Sequence, residues 1–239
     1  MSKLIVKDKN VVVPGEILAE GMDYLPGNGT YREKERIRAG KLGLVQIEGR
    51  AIKLIPLSGK YLPKKGDTII GFIKEILMSG WMIDTNSAYH AMLSMKDATS
   101  EYIPKGADLT QYFTFGDYVV CKIINVTSQK LVDITARGPG LRKLRGGRII
   151  TVNTHKVPRI IGKKGSMVSM VKQATDCSII VGQNGVIWIQ GKEPKMEFLA
   201  IDALKKIEAE SHLSGLTDRM KQYLEKATGK KLDVAVAGE

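Results

Sequence analysis

The stretch Val157-Pro158-Arg159-Ile160-Ile161-Gly162-Lys163-Lys164-Gly165-Ser166-Met167 decides the fold of the second half of this 239-residue chain. Two glycines bracket a two-lysine turn, and an apolar-periodic segment begins directly behind it. Glycine carries no Cβ, so at both ends of the turn the backbone can come close to a ligand. The helix start that follows offers backbone N–H groups without intrahelical acceptors, and these favour an anion. The combination predicts a grip on a nucleic-acid backbone, with Lys163 and Lys164 adding charge.

Met167, Val168, Met170, Val171 and Ala174 fall on one helical face. Ser178 to Val181 and Val186 to Gln190 read as strands joined by a turn containing Asn184-Gly185. A further helix repeats the apolar pattern with Met196, Leu199, Ala200, Ala203, Leu204 and Ile207, and Arg148 to Thr154 reads as a strand in front. The order is then β-α-turn-α-β-β-α. In that order, with its Gly-x-x-Gly turn, the region resembles a KH domain of type I, whose loop clamps the backbone of four single-stranded nucleotides. The resemblance implies RNA contacts at Arg159, Ile160, Ile161, Gly162, Lys163, Lys164 and Gly165.

The net charge of +12 is unevenly placed. Residues 1 to 133 carry 18 basic and 15 acidic residues, and residues 176 to 239 carry 9 and 10. The window from 134 to 175 holds ten basic residues and no acid. A charge run is usually a solvated face, but an acid-free window that contains a phosphate-suited turn attracts a polyanion and releases its counterions. Arg137, Arg142, Lys143, Arg145, Arg148 and Lys156 are therefore further candidates for RNA contact.

Composition is that of an ordinary soluble globular chain, 43% hydrophobic and 26% charged, with room for two or three small domains. Cys121 and Cys177 cannot build a disulfide framework or a four-cysteine zinc site, which points to a reducing compartment. Neither a signal peptide nor a membrane span is apparent, so the cytoplasm is expected and no membrane partner. No clustered carboxylates, no nucleotide-binding Gly-x-x-x-x-Gly-Lys-Ser/Thr loop and no nucleophile or orienting carboxylate close in sequence to His155 are evident, so neither catalysis nor a cofactor is expected.

Residues 1–65 show short strands and glycine turns, including a hairpin of Leu42 to Ile47 and Ala51 to Pro56 about Glu48-Gly49-Arg50. Their Pro14-Gly15-Glu16, Gly27-Asn28-Gly29-Thr30-Tyr31 and Gly59-Lys60-Tyr61-Leu62-Pro63-Lys64-Lys65-Gly66-Asp67 resemble the N-terminal domain of exosome cap proteins. Residues 66–137 resemble an S1 domain, a five-stranded barrel of the oligonucleotide-binding type. Gly66-Asp67-Thr68-Ile69-Ile70-Gly71-Phe72-Ile73 carries the opening motif and Phe115-Gly116-Asp117-Tyr118-Val119-Val120-Cys121-Lys122-Ile123 the fourth strand.

S1 domains stack bases on second-strand aromatics and a nearby histidine. Here Trp81 alone fits such a position. Ser79 stands where an aromatic is often found, and His90 is offset, so Trp81 is read either as a stacking residue or as a core residue or interface plug. Residues 138–147 form a basic linker too short to let barrel and KH domain swing apart. The KH domain spans 148–212, and 213–239 hold a C-terminal helix, with Thr217 as its cap and Gly229 as its end, followed by a tail.

The whole is a multidomain, mainly β plus α+β architecture. The order N-terminal β domain, S1 barrel, KH domain resembles the S1/KH RNA-binding cap subunits of the archaeal exosome. That resemblance implies a non-catalytic subunit gripping single-stranded RNA above the pore of a hexameric ring of RNase-PH-like subunits, which degrade it from the 3′ end with phosphate. Three copies would sit on a ring, mixed with a sister cap protein that ends in a zinc ribbon. A free S1/KH factor of transcription or translation is the alternative.

Overall fold

The computed structural model describes residues 3–211, 213 and 215–229. These divide into two compact bodies, one up to Gly59 and the other from Lys60 onward. In the first, strands β1 (Lys3–Leu4), β3 (Ile17–Glu20), β6 (Arg36–Ala39) and β5 (Thr30–Glu33) form one sheet in the order β1-β3-β6-β5. Strands β2 (Val11–Val12), β7 (Gly43–Glu48), β8 (Ala51–Pro56) and β4 (Leu25–Pro26) form another, ordered β2-β7-β8-β4. Alternation sends Val45, Ile52, Leu54 and Ile37 into one small core, and at β3, where the register with β6 shifts between Ile17 and Ala19, both Leu18 and Ala19 join it.

The second body begins with a barrel of β9 (Thr68–Leu77), β10 (Gly80–Asp84), β11 (His90–Ser94), β12 (Tyr118–Val126) and β13 (Val132–Thr135). Neighbours run β13-β11-β10-β9-β12, and β12 pairs with β13 to close it. Only the β11–β13 pair is parallel among the five. Closure leaves no open edge within the ring of strands. Between β11 and β12 lie helix α1 (Met95–Ala98) and a 3₁₀ turn at Leu109–Gln111, whose Ala98, Ile103, Leu109 and Phe113 join the barrel core.

Tyr61, read from the sequence as closing the N-terminal segment, belongs with this barrel. Its ring lies in the barrel core and its hydroxyl donates to Asp67 Oδ2 at 2.6 Å. Burial, then the Asp67 carboxylate, push the phenol above its usual pKa. Burial likewise pushes the Cys121 thiol up to about 12, as expected of a structural, unreactive cysteine.

The KH-like part is β15 (Arg148–Thr151), α2 (Val157–Ile161), α3 (Ser166–Thr175), β16 (Ser178–Val181), β17 (Val186–Gln190) and α4 (Pro194–Glu210), with an antiparallel sheet ordered β15-β17-β16. Ile179, Ile187 and Ile189 face the helices. Ile149, Ile180, Val186 and Trp188 face the other way, onto Ile70, Tyr118 and Val120 of the barrel. The sheet is thus covered on both faces. The linker contributes Leu141 and Leu144 to this seam, and strand β14 (Lys143–Leu144) pairs with β12. Helix α5 (Leu216–Thr228) starts one residue before the expected cap, with left-handed Gly215 ahead of it, and ends at Gly229. It places Met220 and Leu224 in the KH core. The expected tail, from Lys230 onward, lies outside the described residues.

Candidate nucleic-acid interface

The glycine-bracketed turn is built by two short hydrogen bonds. The Gly162 N–H ends α2 by donating to Pro158 O at 3.0 Å, and the Gly165 N–H donates to Gly162 O at 3.2 Å. Gly162, Lys164 and Gly165 all have positive φ, at 76°, 52° and 82°. A Cβ on Gly162 would sit 2.7 Å from the Met167 nitrogen and 2.8 Å from its Cβ, so no side chain fits there. At Gly165 nothing lies within 4 Å, and its left-handed φ alone asks for glycine. Helix α3 then starts at Ser166 with no side-chain cap. Lys163 and Lys164 are exposed and, among the described residues, make no ion pair. A tight turn, an uncapped helix start and two uncommitted ammonium groups together suit a phosphate backbone.

The other cations of the basic window divide into two groups. Lys143 pairs with Asp117, and that carboxyl, although desolvation opposes it, lies below its ordinary pKa because of Lys143 and Thr114. Arg148 bridges Glu197 at 2.9 Å and stacks 4.4 Å over the Phe198 ring. The Gly191 N–H, then Arg148, hold Glu197 below the usual carboxylate range. Lys156 donates to Glu208 O at 3.1 Å, Arg137 donates to Lys96 O at 2.9 Å, and Arg142 lies 6.0 Å over the Trp188 ring. Arg145 and Arg159 are exposed and, like Lys163 and Lys164, form no ion pair among the described residues. The acid-free sequence window is therefore partly neutralised by acids from elsewhere in the chain. Of its ten cations only Lys143 and Arg148 form ion pairs among the described residues, and Arg159, Lys163 and Lys164 stand without one at the turn.

Two of the candidate RNA contacts are in the core, Ile160 against expectation and Trp81 in keeping with the second of its two readings. Trp81 is 0% exposed, its Nε1 donates to Phe113 O at 3.0 Å, and the two rings meet edge-on at 5.3 Å. Inward alternation with Ile83 on β10 puts it there, and it has no free face for a base. Ile160 is also 0% exposed, because Val157 and Ile160 are the residues by which the short α2 packs on the KH core. Ile161 is half-buried beside it. For Trp81→Phe we expect a loss of about 2 kcal/mol, from the smaller ring and the abandoned Phe113 carbonyl. Thermal melting checks this, with a drop of several degrees.

Aromatics do reach the outside of the barrel, from residues quoted above only as strand motifs. Phe72 lies 5.2 Å from Tyr118 and 5.9 Å from Phe115, which is 71% exposed. Ile69, Gly71 and Ile73 point inward on β9, so the same alternation that hides Trp81 turns Phe72 out. His90, read as offset, is on the outer face with Nε2 3.2 Å from Lys74 Nζ. Beside Phe72 and Tyr118, a cavity of about 210 Å³ opens along the barrel–KH seam, edged by Asp84, Asn86 and Thr151. A wider depression of about 900 Å³ adjoins the turn, bounded by Arg159, Gly162, Lys163 and Ser166 and by Leu216 and Asp218 of α5.

Comparison with known proteins adds a family context. A model described as a KH domain matches residues 147–195, and one described as the N-terminal region of exosome complex exonuclease RRP4 matches residues 11–48. The exosome complex component Rrp4 of Pyrococcus furiosus is 44% identical over 227 residues, spanning 94% of this chain and 86% of its own length. Its namesake in Methanothermus fervidus is 45% identical over 222 residues, 92% of this chain and 97% of its own. A crystal structure described as that of an exosome complex RNA-binding protein covers 70% of this chain and 97% of its own, with a TM-score of 0.64 and 33% identity.

Proposed function

Because the chain belongs to the Rrp4 family of exosome complex components, we propose that it is the RNA-binding cap of an archaeal exosome and feeds single-stranded RNA to the nuclease without cleaving it. The observation that carries this reading is the turn at Gly162–Gly165, where two uncommitted lysines sit between glycines of positive φ, the first with no room for a side chain. A single strand can lay its phosphates along that turn and splay its bases, whereas an A-form duplex hides them. Arg159 and Arg145 extend the cationic track, while Arg148, Lys143 and Lys156 mainly hold the fold. The free-factor alternative is disfavoured by relatives that share the chain nearly end to end.

The family setting supports the finer parts of the proposal. The N-terminal β body docks on a hexameric ring of RNase-PH-like subunits, three caps to a ring, in company with a zinc-ribbon cap protein. The complex works in the cytoplasm, and among the described residues no helix is long and apolar enough to cross a membrane. Phosphorolysis from the 3′ end belongs to the ring.

The test is direct. Incubated alone with RNA, phosphate and Mg²⁺, the purified chain is expected to leave the RNA intact. Added to a capless ring, it is expected to lower the KM for RNA while the products stay nucleoside diphosphates. Nucleotide release by the isolated chain, or a capped ring with unchanged KM, would count against the proposal.

A further inference from the structure

The barrel's stacking residue is absent from its expected place, since Trp81 is internal. On the connection between β11 and β12, however, Tyr102 stands 86% exposed. Its neighbour Ile103 is 6% exposed and locked into the barrel core, so the backbone is anchored and the phenol ring is held outward. Tyr102 borders a groove of about 470 Å³ whose apolar lining comes from Met95 and Ile103 and whose cations are Lys96, Lys105 and Arg137. Glu101 is its one acidic lining residue, leaving a net charge of +2 from three cations and one anion.

The wall that carries Arg137 is stiff. Asp97 O accepts from the Ala136 N–H at 2.8 Å and from Thr135 Oγ1 at 3.1 Å. The Arg137 N–H donates to Thr135 Oγ1 at 3.1 Å, and one guanidinium nitrogen donates to Lys96 O at 2.9 Å. That last bond fixes the guanidinium plane and leaves its remaining N–H groups available. Arg137 is also the first cation of the acid-free window, so the groove opens where that window begins.

An exposed ring on an anchored backbone, beside an apolar lining and flanked by cations, has two natural occupants: a nucleotide or a protein side chain. Protein interfaces are depleted in lysine at their cores, and this groove has two. Single-strand sites combine a stacking aromatic with a cationic track for the backbone. We infer that the Tyr102–Arg137 groove is a second single-strand RNA site, in which one base stacks on Tyr102 and the adjoining phosphate meets Arg137 and Lys105. It rests on the RNA-binding reading above and adds a contact on the barrel that is independent of the glycine turn. Stacking on an aromatic is indifferent to base identity, so the site adds affinity without sequence preference.

The experiment uses the full chain and a fluorescent single-stranded oligoribonucleotide of about 12 nucleotides, within the range that such folds accommodate. Tyr102→Ala is expected to weaken binding about 5- to 50-fold with the log affinity against log salt slope unchanged, because stacking releases no counterions. Tyr102→Trp keeps parental affinity, and Arg137→Gln lowers the slope by about 0.7. All three substitutions are at exposed positions, so melting temperatures stay at the parental value. Parental affinity and slope in both Tyr102→Ala and Arg137→Gln would overturn the inference while leaving the turn as the RNA site. If Tyr102→Ala instead loses association with ring subunits and keeps its RNA affinity, the groove is a protein contact and the inference is wrong. A parent chain that binds no single-stranded RNA defeats the RNA-binding reading and this site with it.

Discussion

The double variant Lys163→Asp/Lys164→Asp is expected to bind single-stranded RNA on the order of 10- to 100-fold more weakly than the parent at low salt, with an unchanged melting temperature. Each lost phosphate contact lowers the salt slope by about 0.7, so the double variant should fall about 1.4 below the parent. The two new carboxylates also repel the backbone, so the loss exceeds that of a double alanine variant. The fold has no reason to object. Both lysines are exposed and unpaired among the described residues, and Lys164 already holds φ at 52°, where aspartate is more at ease than lysine. Gly162 and Gly165, and so the turn, stay in place. Filter binding or fluorescence anisotropy across a salt series reads the result. Parental affinity in a correctly folded double variant would move the principal RNA site away from this turn.

What could be read in the sequence was local. The turn is encoded within four residues, and the helices around it announce themselves by apolar spacing over ten or so. The first and fourth barrel strands follow from motifs at their starts. Trp81 was ambiguous because β10 reads Gly80-Trp81-Met82-Ile83, apolar on both sides of the strand, and period-2 alternation then names no inner face. Register against β9 and β11 settles it, and register is a tertiary property. Ile160 shows the same limit within a helix of one turn. The acid-free window overstated the free charge, since Asp117, Glu197 and Glu208, which neutralise or hold three of its cations, lie outside it in the sequence and close to it in space. Val186-Ile187-Trp188-Ile189 is an unbroken apolar run, as expected of a strand covered on both faces. It encodes the docking of the KH sheet on the barrel.

That docking depends most on a residue that the sequence presents as a mere turn former. Asn184 is 0% exposed and sits in the β16–β17 turn, against the barrel. Its Nδ2 donates to Ile70 O at 2.8 Å and Thr85 O at 3.0 Å, and its Oδ1 accepts from the Ile70 N–H at 3.3 Å. Its own carbonyl accepts from Asn86 Nδ2 at 3.0 Å, and the Gln183 N–H donates to Thr68 O at 2.9 Å. The approach is so close that a Cβ on Gly182 would fall 2.8 Å from the Ile70 nitrogen. Asn184→Ala removes three side-chain hydrogen bonds at once and leaves buried groups of Ile70 and Thr85 without their partner, at about 1 kcal/mol or more each. The expected loss is therefore about 3–4 kcal/mol, and a melting temperature lower by roughly 10 °C. Asn184→Asp should be no better, because a carboxylate keeps the bond from the Ile70 N–H but cannot donate to either carbonyl and sets a charge beside them. Amide exchange at Ile70 should rise in both variants while exchange in α4, on the far side of the KH sheet, rises less. If Asn184→Ala melts within 2 °C of the parent and Ile70 remains equally protected, the apolar seam of Ile70, Val120, Val186 and Trp188 holds the two folds together without this tether.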